Sequence, residues 1–138
     1  PEMSAYAVAE RFVEVVQSGH FDFIILNFAN PDMVGHTGSL PATIEALHHV
    51  DSCLERVVGL LQAQDADIFI TADHGNAESM MNADGTPNTA HTTNPVPLLY
   101  LREGVVLREG MGLSDLAPTF LTLLGVPVPP VMTGRSLV

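Results

Sequence analysis

Ile68-Phe69-Ile70-Thr71-Ala72-Asp73-His74-Gly75-Asn76 is an apolar run that ends abruptly in an acid, an imidazole and a glycine. A short unbroken apolar run suits a strand covered on both faces, and a glycine lets the chain turn sharply just past the strand's carboxyl end. In open α/β sheets that edge is where sites are built. Asp73 and His74 at such a corner can diverge toward two partners, which suggests a metal or proton-transfer site. Taken alone, Asp-His-Gly also reads as an ordinary turn, because Asp and Gly populate turns readily. What the neighbouring segments bring to the same edge decides between the two.

Upstream, apolar residues at Ala5, Val8, Phe12 and Val15 predict an amphipathic helix over Ser4 to Ser18, stopped by Gly19. Phe21 to Phe28 then predicts a central strand. The segment from Ala29 to Gly38, with Asn30-Pro31 and two glycines, reads as a loop holding Asp32 and His36 at that strand's carboxyl end. Ser39 is positioned to cap a long helix from about Leu40 to Gln62, with Pro41 in its first turn and Leu47, Val50, Leu54, Val57 and Leu61 as the buried stripe. Strand, helix, strand with such a crossover predicts a parallel pair, so Asp32 and His36 are expected near Asp73 and His74.

Downstream, residues 75 to 96 form a polar connection longer than packing requires, with a turn at Asn82-Ala83-Asp84-Gly85 and with His91 close to the chain's return into the sheet. Val96 to Leu101 is the next strand, with Val105 to Leu107 as a possible hairpin partner. A last helix, capped at Ser114, carries Leu116, Phe120, Leu123 and Leu124 up to Gly125. The proline-bearing tail is expected to run extended over the surface.

With 138 residues and 46% hydrophobic content, one globular domain is expected. Sixteen acids against five arginines and no lysine give a formal charge of −11, which disfavours nucleic acid or an anionic membrane as partner. No apolar run approaches the roughly 20 residues of a membrane span, and no signal-peptide pattern opens the chain, so a cytoplasmic protein is expected. Pro1-Glu2-Met3 leading at once into helical sequence suggests an excised piece. Cys53 is alone and reads as a small buried residue. Glu45, His49 and Cys53 share one helical face and could in principle bind zinc, but nothing brings further ligands there, so solvated histidines are the better account.

Asp32 and His36, Asp73 and His74, and His91 thus converge from three loops on one sheet edge. Five oxygen and nitrogen donors in that arrangement match the needs of two divalent cations better than those of a lone general base. The five arginines read as structural or solvated, and Thr37, Ser39, Thr92 and Thr93 as residues that hydrogen-bond the loops.

Asn30-Pro31-Asp32-Met33-Val34-Gly35-His36-Thr37-Gly38, Thr71-Ala72-Asp73-His74-Gly75-Asn76 and Ala90-His91-Thr92-Thr93-Asn94-Pro95-Val96-Pro97 together resemble the C-terminal part of the cofactor-independent phosphoglycerate mutases, within the alkaline phosphatase superfamily. The resemblance runs the length of the chain, to Met132-Thr133-Gly134-Arg135-Ser136-Leu137. It implies a partial three-layer α/β domain, a mostly parallel sheet with helices on both faces. It further implies that Asp32, His36 and His91 hold one manganese ion, or another divalent cation, and that Asp73 and His74 contribute to a second. The implied chemistry is phosphoryl transfer from 3-phosphoglycerate to a serine and back to the neighbouring oxygen. That serine, an aspartate beside it and an inserted arginine-bearing domain have no counterpart in these residues. The chain by itself is therefore expected to be inactive and to dimerise or aggregate through uncovered core, whereas the parent enzyme is expected to be monomeric. Another phosphomutase or phosphohydrolase of the superfamily, or a non-catalytic metal-binding module, are the alternatives.

Overall fold

The computed structural model describes residues 1–138, which divide into two compact units, Pro1–Leu101 and Arg102–Val138. In the first unit, α1 (Ala5–Ser18) ends at Gly19, whose φ of 64° is the left-handed conformation that glycine adopts without a Cβ penalty. α3 (Leu40–Gln62) lies against α1, and Ala5, Ala9, Phe12, Cys53 and Val57 form the core between them. The buried stripe of α3 is Thr43, Ala46, Val50, Cys53 and Val57; Val50 and Val57 are buried as periodicity predicted, Leu61 packs at the edge of the core, and the small residues Thr43, Ala46 and Cys53 complete the face. Leu47 is exposed. Burial in this core pushes the Cys53 thiol pKa up, as expected for an inert structural cysteine.

Several local expectations are corrected. The segment Phe21–Phe28 is not part of any hydrogen-bonded ladder, so the predicted parallel pair does not form. Its side chains still alternate: Ile24, Leu26 and Phe28 pack on the helical core, whereas Phe21, Phe23 and Ile25 are exposed, Ile25 at 80%. A ladder needs a second backbone about 4.8 Å away. No strand is presented there, so the segment has a strand's alternation without a strand's pairing. The single sheet is antiparallel, β1 (Phe69–Thr71) against β2 (Leu98–Tyr100), with Phe69 opposite Tyr100 and their rings stacked at 4.2 Å. Val105–Leu107 joins no hairpin.

The segment expected to be wholly loop contains a short helix, α2 (Asn30–Gly35). Pro31 lies in its first turn, where a proline's missing N–H costs nothing, and Asp32 is favoured there by the helix dipole. Residues read as breakers act as a helix start. Ser39 precedes α3 in extended conformation but makes no side-chain cap; its carbonyl accepts from the Thr43 hydroxyl at 3.1 Å instead. No helix is long and apolar enough to cross a membrane.

In the second unit, a 3-10 turn (Leu113–Asp115) leads into α4 (Leu116–Leu123), whose buried face is Pro118 and Thr119, whereas Leu123 and Leu124 are exposed. The tail is not merely draped. Arg135 N–H donates to Asp115 at 2.6 Å, and Leu137, 2% exposed, donates its N–H to Thr119 at 2.9 Å and accepts from Arg108 N–H at 3.0 Å. Gly134 permits this, because a Cβ there would overlap the Ser114 carbonyl.

Candidate metal centre

Three segments of the first unit meet at the carboxyl end of β1. α2 carries Asp32 in its first turn and His36 as its C-cap, one helical turn apart and on one face. The Asp32 carboxylate Oδ1 lies 3.3 Å from His36 Nε2 and 3.0 Å from His91 Nε2, and the two imidazole nitrogens are 3.1 Å apart. Donors bound to one ion at about 2.1 Å sit about 3.0 Å apart at a right angle and about 3.4 Å apart at the tetrahedral angle. All three edges of this triangle fall in or at the end of that interval.

Two further observations fit a cation. Asp32 Oδ1 is buried and makes no hydrogen bond of acceptable geometry, although two imidazole nitrogens face it. An orphaned carboxylate oxygen in that position is costly unless something positive meets it. His36 Nδ1 lies 2.6 Å from the Thr89 carbonyl oxygen. A carbonyl only accepts, so Nδ1 donates there, and in the neutral imidazole the Nε2 lone pair faces Asp32 and His91. That is how a metal-ligating histidine is usually oriented.

His74 stacks on His91 with centroids 3.8 Å apart, and the donor atoms of Asp32, His74 and His91 all lie within 4.8 Å of one another. Asp73 stands at the rim: its side chain is 88% exposed, with Oδ1 3.6 Å from His74 Nε2. The structure therefore gathers Asp32, His36, His74 and His91 tightly and leaves Asp73 beside them, facing solvent. The Glu45, His49 and Cys53 column makes no such group; His49 Nδ1 instead pairs with the Tyr6 hydroxyl at 2.8 Å, so it is bonded across α1 and α3 and is not simply solvated.

The loops are fastened to one another by Thr92 and by Glu78, the latter given no role from the sequence. Thr92 N–H donates to the Gly75 carbonyl at 2.9 Å, an isolated antiparallel bridge between the Asp73–His74 corner and the His91 loop. Glu78 spans the same junction. Its Oε1 accepts from the Thr92 hydroxyl in a short bond and from Asn94 Nδ2 at 2.9 Å, and its Oε2 accepts from Asn76 N–H at 2.7 Å. These donors, the Thr92 hydroxyl foremost, hold the Glu78 carboxyl below the ordinary carboxylate range. Asn76, 6% exposed, packs against Gly35, where a Cβ would overlap its Oδ1. Gly38, at φ 69°, lies where a Cβ would come within 2.7 Å of Pro87. Thr92 does bond a loop, as its place beside His91 suggested. Glu78 gave one faint signal, an acid inside a polar connection of unusual length.

The family described as Metalloenzyme superfamily matches residues 1–128. The chain is 54% identical over its whole length to a 2,3-bisphosphoglycerate-independent phosphoglycerate mutase of Listeria monocytogenes, and equally to one of Staphylococcus aureus. It is 55% identical over 99% of its length to one of Syntrophotalea carbinolica. In each case the match spans 27% of the relative's length.

Proposed function

The chain belongs to the Metalloenzyme superfamily, of alkaline-phosphatase-like α/β fold, and from that premise we propose that it supplies the cation-binding portion of a phosphoglycerate mutase, a cytoplasmic enzyme of glycolysis and gluconeogenesis that interconverts 3-phosphoglycerate and 2-phosphoglycerate. The observation that carries the reading is the Asp32, His36 and His91 triangle, with an orphaned carboxylate oxygen at one corner and a tautomer-fixed imidazole at another. Asp32, His36 and His91 would hold one divalent cation, manganese by resemblance to the mutases, and Asp73 and His74 would contribute to a second.

Bound there, such cations supply a lowered pKa for an attacking hydroxyl and neutralisation of charge on phosphoryl oxygens. The chain's own contribution is placement. α2 presents Asp32 and His36 on one face, Thr89 keeps the His36 proton away from the centre, and Glu78 and Thr92 hold the His91 loop. A positively charged centre also accounts for an anionic substrate on a chain of net charge −11.

The test is a chimera in which residues 1–138 replace the matching segment of the Listeria monocytogenes mutase. With manganese present, the chimera is expected to convert 3-phosphoglycerate, and residues 1–138 alone are expected to show no turnover. A folded chimera without mutase activity overturns the reading.

A further inference from the structure

We propose that Glu78 is a positioning residue of this centre: it touches no cation, and it sets cation affinity by clamping the His91 loop to the Asp73–His74 corner. The inference rests on the metal-centre reading above and adds a residue that the resemblance does not assign.

His91 can serve a preformed centre only if something other than the cation holds it in place. Its ring meets Asp32, His36 and His74, but those contacts are made by the same groups that would bind a cation, so they cannot fix the ring independently of it. The backbone on either side must do so. Immediately after His91, Thr92 is pinned twice, by its N–H to the Gly75 carbonyl and by its hydroxyl to Glu78. Two residues on, the Asn94 side chain is pinned by Glu78 as well. The other carboxylate oxygen of Glu78 takes the Asn76 N–H, two residues beyond His74. One carboxylate thus accepts from both ligand-bearing segments, using both oxygens.

A neutral side chain of the same shape cannot accept all three bonds as they stand. Glutamine offers one accepting oxygen; with that oxygen on the Asn76 N–H, its amide nitrogen has to donate to Thr92 Oγ1 and to a flipped Asn94, reversing both bonds and losing their charge assistance. Gly75 makes the clamp possible, since a Cβ there would overlap both Thr92 Oγ1 and Glu78 Oε1. Residues that orient ligands without touching the metal typically change affinity by about 10–100-fold when removed.

The experiment measures Mn2+ affinity by calorimetry and by the electron paramagnetic resonance of free Mn2+, in the chimera described above. Wild type is compared with Glu78→Ala, Glu78→Gln, Thr92→Val and Asn94→Ala, below each protein's melting temperature. Amide hydrogen exchange at Asn76 and Thr92 is followed in the metal-free protein. Glu78→Ala is expected to weaken Mn2+ binding about tenfold or more, and Glu78→Gln and Thr92→Val by a smaller factor, with faster exchange at Asn76 and Thr92 and none added in α3. A residue that only supported the fold would lower the melting temperature without moving the affinity. Should Glu78→Ala fail to fold, Asn94→Ala, a surface change on the same clamp, is expected to weaken binding by a few-fold. Affinities equal to wild type in the folded variants overturn the proposal. Wild type that takes up no Mn2+ overturns the metal-centre reading and this proposal with it, a pattern distinct from the first.

Discussion

His36 and Thr89 are joined by a 2.6 Å hydrogen bond from Nδ1 to a backbone carbonyl, although 53 residues separate them. That bond decides which nitrogen of His36 is bare. It makes α2 part of the same construction as the loop that ends in His91, and the consequences can be measured residue by residue.

Asp32 is the common neighbour of His36 and His91. Replacing it by Asn keeps the shape and removes the charge that a divalent cation meets first. Asp32→Asn is expected to lower Mn2+ affinity by at least about a hundredfold, above the usual effect of an orienting partner. Calorimetric titration checks this, and affinity within a few-fold of wild type would remove Asp32 from the ligand set.

Gly35 is held in contact with the buried Asn76 side chain. Gly35→Ala is expected to cost about 1–3 kcal/mol, the usual range for overpacking, because Asn76 must move. Denaturant unfolding gives the number. A variant as stable as wild type would mean that Asn76 is freer than its burial implies.

Thr119, fully buried, donates its hydroxyl to the Asp115 carbonyl and accepts the Leu137 N–H. Thr119→Val keeps the volume and strands that N–H. A loss of about 1–3 kcal/mol is expected, the range for an unsatisfied buried donor. It should be accompanied by faster amide exchange at Leu137, and unchanged exchange there would count against the tail being fastened at this point.

Asp115 accepts from Gly112 N–H and Arg135 N–H, which hold its carboxyl below the ordinary value, Gly112 contributing most. A depressed carboxyl stabilises the folded form fully above the unfolded-state pKa, the ordinary aspartate value of about 3.9, and loses that contribution as pH falls through the lower folded-state value. Acidification below about pH 4 is therefore expected to release the Arg135 amide, read as a pH-dependent chemical shift at Arg135 and Gly112. Asp115→Asn should lack that acid limb. Reading the shift locally separates Asp115 from Glu78 and Asp84, whose carboxyls are depressed in the same direction.

What was legible in the sequence follows from the range of each interaction. α3 was readable to its ends, Leu40 and Gln62, since periodicity and a first-turn proline are local signals. α2 was not, because Asn30-Pro31 and Gly35 look the same whether they interrupt a helix or begin and end one. In Phe21–Phe28 the alternation was visible and the pairing was not, since a ladder depends on a second backbone. The side chains that the structure brings together, Asp32, His36, His74 and His91, could be picked out as acids and imidazoles beside apolar runs, although α2 and not a strand end carries the first two. Glu78 could not, because its meaning lies in Thr92 and Asn94, 14 and 16 residues further on.

The triangle of Asp32, His36 and His91 has a thermodynamic side. His36 and His91 are 55 residues apart in the chain, so any cation they share acts as a removable cross-link between distant segments. Ligand-linked folding then applies: above the dissociation constant, each tenfold rise in free cation adds about 1.4 kcal/mol to the stability of the folded form. A melting temperature that rises with metal concentration, and a chelator that acts as a denaturant, are the outcomes expected of that linkage.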